Sequence, residues 1–411
     1  MQTRITEILG IEKPIIQGAM ARIADASLAG AVSAAGGLGI IACGGQRPEW
    51  VEEQVAKARA ITEKPIGANV MLMDKRAPEI AELLTRLHVD VITTGAGSPS
   101  AYMDMWKEAG IKVVPVVASP AQAKRMERTG ADAVVAEGTE SGGHVGELAT
   151  MALVPATCEA VSIPVIAAGG IADGRGIVAA FALGAEGVQC GTRFLTVEEC
   201  CIADAYKQRV LDAKVSDTIV TGRDSGHPVR SLKNKFSRTA KQLERDLEKN
   251  GEEIERMFLG ALRRAVEGDV DDGDMMSGQI AGVVHERKTA REVIDEMISE
   301  AEALGAYGVA VLIIAGKYVL RSSYTYYLAL HIEQRAAAVA GVDGCVGLQI
   351  FVLAAVNVYV PRCCTDYAEC GRARQLTAGG ISYGDSEIAH PYIFGTAKCQ
   401  WLQAVLPDIE H

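Results

Sequence analysis

The chain has few aromatic residues (5%), no surplus of positive charge and no apolar leader. Each shortage excludes something. A formal net charge of -11 argues against a general nucleic-acid binder, because phosphate contacts need Lys and Arg gathered on one face. Met1 to Gly10 hold Arg4 and Glu7 and no apolar run, so neither a secretory signal nor an N-terminal anchor is expected, and a cytoplasmic enzyme is. No Cys-x-x-Cys pair occurs among the ten cysteines. A chain of 411 residues can bury a core without covalent staples, so the cysteines read as free thiols. A P-loop and a Gly-x-Ser-x-Gly elbow are also missing.

What is present is a rhythm. Short apolar, β-rich runs alternate with Ala-rich amphipathic stretches, the pattern of parallel strands covered by helices. Eight runs begin near Pro14, Leu38, Pro65, Val89, Ile111, Ala131, Pro164 and Gly187. Most are separated by one strand-helix unit of ~20 to 27 residues. The expected fold is therefore a TIM (β/α)8 barrel. Residues 1–192 and about 285–305 would form it, and 193–284 would be an α-rich insertion after strand eight. The insertion is charged from Lys233 to Arg264. The stretch Lys288–Leu304 has a 3.6-residue period, with Val293, Ile294, Met297 and Ile298 on one side, and would be the last barrel helix.

In such a barrel the loops after the strands build the site. After strand six a Gly-rich loop, Gly138 to Ala149, holds Glu140, Gly142, Gly143, His144 and Glu147. His144 is the only histidine on a strand-end loop of the barrel proper, and imidazole suits proton transfer near neutral pH. After strands seven and eight come Ala168-Gly169-Gly170-Ile171 and Gly191-Thr192-Arg193, where glycine N–H groups can approach phosphate oxygens. Met20 after strand one, Asn69 in strand three and Gln189 in strand eight could meet a flat polar cofactor, or could be ordinary core and structural residues. The basic run Arg223, His227, Arg230, Lys233, Lys235 and Arg238 is either a solvated face or a receiver of an acidic or phosphorylated partner.

The runs PIIQGAMARIADASLAGAVSAAGGLGII, NVMLM, TTGAGSPSAYM, AEGTESGGHVGELATM, PVIAAGGIADGRG, QCGTRF, GHPVRSLKNK and MSGQIAGVV resemble the flavin-dependent enoyl-acyl-carrier-protein reductase II (FabK type) family, a relative of nitronate monooxygenases. The resemblance covers residues 1 to about 305. It implies FMN held near Met20, Asn69, Glu137, Gly143, Gly169, Gly170, Gln189, Gly191 and Thr192, with Met276 and Gln279 closing nearby. His144 would be catalytic; His227, Arg230 and Lys233 are expected from the basic run itself to bind substrate or partner. It further implies reduction of a trans-2-enoyl thioester by NADH or NADPH in fatty acid synthesis, with an acyl carrier protein as partner; beside it, a homodimer, a possible monovalent cation and no metal centre are expected. Two residues depart from the family pattern: Ala19 stands where Gly is usual, and Cys190 where Val is common.

Rival functions share this frame. A nitronate monooxygenase would use the same fold, FMN and a histidine base to oxidise nitroalkanes with oxygen. A non-catalytic flavin or nucleotide binder is a third reading. Dehydrogenases of the inosine-monophosphate type need a cysteine after strand six, and none lies between Cys43 and Cys158. The tail 306–411 stands apart: nine of the eleven tyrosines and five of the ten cysteines follow Gly305. It reads as an out-of-frame extension, an unrelated fusion or an added binding module. Its apolar stretch Val346–Val360 is shorter than the ~20 residues a spanning helix needs. Cys363, Cys364 and Cys370 lack a fourth ligand at a metal-site spacing.

Overall fold

The computed structural model describes residues 1–319, with side chains through residue 305. The expected barrel is there. Of the eleven strands among the described residues, eight run parallel and form it: β1 (Ile15–Gln17), β2 (Gly39–Ala42), β3 (Ile66–Met71), β4 (Val91–Gly95), β5 (Lys112–Val117), β6 (Val134–Glu137), β8 (Val165–Ala168) and β9 (Gly187–Cys190). Their order is β1-β9-β8-β6-β5-β4-β3-β2. The ring closes where Ile16 bridges Leu38 in parallel. These strands are near-continuous apolar runs because both faces are covered. Inside the ring, Ile16, Leu38, Ile40, Val91, Val114, Val135 and Ile166 pack with Ile5, Leu9 and Ile11. The helix Arg4–Leu9 supplies Ile5 and Leu9, and Thr3 starts it with a reciprocal capping box.

Helices follow the strands and cover the outside. Close approach dictates some residues: a Cβ on Gly39 would lie 1.9 Å from the Ala29 carbonyl oxygen, so β2 can meet helix Ala26–Ala34 only through glycine. The last helix runs Ala290–Val319, longer than the periodicity alone indicated. It buries Val293, Ile294, Met297 and Ile298 as expected.

Between β9 and that helix lies the insertion. Helices Lys235–Leu243, Leu247–Phe258 and Ala261–Val266 occupy its charged part. It also contains a hairpin where only helices were expected, β10 (Thr218–Thr221) and β11 (Val229–Leu232). The hairpin joins β7 (Gly143–His144), in the loop after β6, in a second sheet ordered β10-β11-β7.

Met1–Glu302 form one compact unit. Val346–Val360 and the three tail cysteines lie outside the described residues. Among the described residues no helix is long and apolar enough to cross a membrane, and five free thiols are present.

Candidate active site

The two glycine loops sit at the carboxyl ends of β8 and β9. Gly169 and Gly170 both adopt left-handed backbone, φ 95° and 75°, a conformation costly to any other residue. A Cβ on Gly169 would lie 2.9 Å from Gly138 O, so the loops after β6 and β8 touch backbone to backbone. Thr192 follows β9, and its hydroxyl accepts the Gly278 N–H at 2.9 Å. One of the two expected phosphate loops is thereby tied to the segment carrying Met276 and Gln279.

That segment, Asp274 to Gln279, crosses the mouth as a strap with four further attachments. Met276 bridges Ser231 of β11, the buried Tyr206 hydroxyl donates to Met276 O at 2.8 Å, Leu232 N–H donates to Met275 O at 2.9 Å, and Gln279 N–H donates to Glu140 O at 2.9 Å. Beneath it the Ser231 hydroxyl donates to buried Asp274, whose carboxyl burial pushes up to about 6. Glu140 is itself engaged: its carboxylate accepts the N–H and hydroxyl of Thr150, each at 2.9 Å. None of Tyr206, Ser231, Asp274 or Thr150 stood out in the sequence.

His144 occupies β7, opposite Val229 of β11, while Gly143 opposes Arg230. The insertion thus supplies the strand that holds the histidine's backbone. Gly143 turns with φ 76°, and a Cβ there would meet Met276 Sδ at 3.6 Å, which puts the strap beside the histidine. The His144 ring is exposed at the mouth. Flanking protein still lowers its pKa, first by burial and then through the charge of His227.

The remaining expected contacts converge on the same opening. Gly18 backs onto Gln189, 3.2 Å from a built Cβ, and Gly191 faces Met20 Sδ at 3.7 Å. Asn69 donates its amide to Thr93 Oγ1 at 3.0 Å, leaving its oxygen available. Gln189 is 8% exposed, and Glu137 is half-buried at the end of β6 with its carboxyl pushed up to about 7 by burial. Neither side chain makes a hydrogen bond among the described residues. Buried polar groups without partners are costly in a finished interior and ordinary in a site that receives a polar ligand. The donor set therefore fits a flat, hydrogen-bonding, phosphorylated cofactor such as FMN.

The basic run divides. Arg230 is buried, donating to Thr139 O at 3.1 Å and Thr218 Oγ1 at 3.0 Å, so it braces the loop before His144. Lys233 donates to Ser216 O at 2.6 Å. Arg223 pairs with Glu147, and Lys235 with Asp272 at 2.9 Å. Arg238 and Lys233 border a surface recess with Arg209, Asp212 and Asp217. His227 is exposed at the hairpin tip.

Comparisons with known proteins agree with this geometry. A family model described as nitronate monooxygenase matches residues 2–86 and 79–300. The solved structure of FabK from Thermotoga maritima is 45% identical, with a TM-score of 0.72, covering 74% of this chain and 97% of that one. A (3aS,4S,5R,7aS)-5-hydroxy-7a-methyl-1-oxo-octahydro-1H-indene-4-carboxyl-CoA dehydrogenase of Mycobacterium tuberculosis is 33% identical, covering 73% of this chain and 96% of the relative. A probable nitronate monooxygenase of Staphylococcus aureus is also 33% identical, over 68% of this chain and 91% of the relative.

Proposed function

The chain belongs to the nitronate monooxygenase family, and from that premise we propose that it is an FMN-dependent reductase of trans-2-enoyl thioesters. NADH or NADPH would be the electron donor and an acyl carrier protein the bearer of the substrate. The observation that carries this reading is the 45% identity to FabK of Thermotoga maritima over 97% of that chain. The Mycobacterium tuberculosis relative, by its name, acts on a CoA thioester, which supports the substrate class.

FMN, when bound, would supply the hydride chemistry, taking two electrons from the nicotinamide and delivering them to the β-carbon of the enoyl group. Backbone N–H groups of Gly169, Gly170 and Thr192 would hold its phosphate. The Asn69 oxygen, the Gln189 amide and the Glu137 carboxyl would satisfy its polar edges, with Met20 and Met276 as apolar neighbours. His144 would deliver a proton to the α-carbon or steady the thioester oxygen. Because burial and His227 disfavour its imidazolium form, proton delivery weakens as pH rises.

The same lowered pKa favours a second reading. A neutral imidazole is a competent base, as oxidation of a nitroalkane would need, and the Staphylococcus aureus relative is named for that chemistry. Anaerobic mixing decides between them: purified protein meets NADH or NADPH and then a trans-2-enoyl thioester, with and without K⁺, while flavin absorbance is followed. Bleaching by nicotinamide and recolouring by the thioester is the expected result. Bleaching by a nitroalkane alone would overturn it. In the same proposal the protein is a homodimer, which sedimentation checks.

A further inference from the structure

Two imidazoles stand on one side of the β10-β11-β7 sheet. His144 is opposite Val229, and Val145 N–H donates to Pro228 O at 3.1 Å, so the antiparallel register continues one step past the paired strands. Side chains alternate along a strand, so His227, two residues before Val229, falls on the face His144 shares. Such diagonal neighbours have Cα atoms about 7–8 Å apart, within reach of long side chains. Both residues are exposed.

The hairpin tip is built to hold His227 in place. Its N–H donates to Gly222 O at 2.8 Å, and Gly222 has φ 77° with no room for a Cβ, which would lie 2.1 Å from His227 O. Buried Glu244 accepts the Gly222 N–H and pairs with Lys241 at 3.0 Å, pinning the tip from the helical side.

We propose that His227 is a positioning residue for proton transfer: its charge governs whether His144 carries the proton, and so sets the pH range over which the site works. The proposal rests on the role given above to His144. Most of the other charged groups around the pair are held by partners of their own. Arg223 on the tip is paired with Glu147 of the catalytic loop, and Asp224 is exposed beside it. Arg230 falls on the opposite face of the sheet, turned to Thr139 and Thr218. Glu140 is held by Thr150, and the strap presents uncharged Met276 beside Gly143. His227 is the group whose charge bears on His144, in the direction that disfavours imidazolium.

The test titrates the His144 ring by NMR in histidine-labelled full-length protein loaded with FMN, using His144→Gln to assign its signal. His227→Gln removes the neighbouring charge and should move the His144 midpoint to higher pH. His227→Lys fixes a positive charge there and should move it to lower pH. The alkaline limb of enoyl-thioester turnover should follow in the same two directions. Simple loosening of the tip would move both variants alike. Midpoints that stay put, or shift the same way in both, would overturn the proposal. Absence of enoyl turnover in the parent protein would count against the reductase reading alone, because the titration still reports on the pair.

Discussion

At the scale of single residues, His144 and Asp274 differ in kind. His144 is exposed and reachable by substrate, so His144→Ala should cut enoyl-thioester turnover by about 100-fold or more and leave flavin content and melting temperature near those of the parent, as absorbance and thermal unfolding will show. Asp274 is 3% exposed and acts on the fold. Its carboxyl is raised to about 6 from 3.8, so the folded protein keeps a proton that the unfolded chain releases, and stability falls as pH rises from about 4 to 6. Two units correspond to an upper bound of about 3 kcal/mol at neutral pH. Asp274→Asn keeps an acceptor for Ser231 and should flatten that fall, giving a urea midpoint above the parent's at pH 7. Residues of the first kind were legible in the sequence because strand rhythm places them: His144, Gly169, Gly170 and Thr192 stand where barrel strands end. Residues of the second kind were not. Ser231 and Asp274 are 43 positions apart, Tyr206 and Met276 70, and Thr192 and Gly278 86, and no local pattern announces a partner that far along the chain.

Among elements, the barrel strands were readable because each is a short apolar run buried on both faces and closed by polar or glycine residues. The hairpin was not, since Thr218–Thr221 and Val229–Leu232 are brief and fall in an insertion expected to be α-rich. It nevertheless decides where His144 sits. Gly222→Ala puts a side chain on a left-handed residue with its Cβ against His227 O, and should cost roughly 2–3 kcal/mol of local or global stability. The expected signature is a lowered melting temperature together with a displaced His144 resonance. An unchanged spectrum would mean the tip has another way to accommodate a Cβ. The strap depends on the insertion in the same way: Tyr206, Ser231 and Leu232 all lie outside the barrel strands, yet they hold Met275 and Met276 across the barrel mouth.

For the whole molecule, among the described residues the side chains of the last helix that reach the barrel core run from Ala290 to Ala301, ahead of Gly305. A chain stopped after Gly305 should therefore keep the melting temperature of the barrel and its flavin content, which calorimetry and absorbance can check against the full-length protein. Loss of either would assign the tail a structural duty. The two-residue strand that carries His144 has a different consequence. Its backbone is protected only while the hairpin stays docked, so the free energy of local opening in the insertion caps the fraction of molecules with a formed proton-transfer site. Hydrogen exchange should show the amides of Val145 and of β11 opening together, ahead of the strands of the ring. A mild denaturant should then silence the enzyme well before the barrel unfolds.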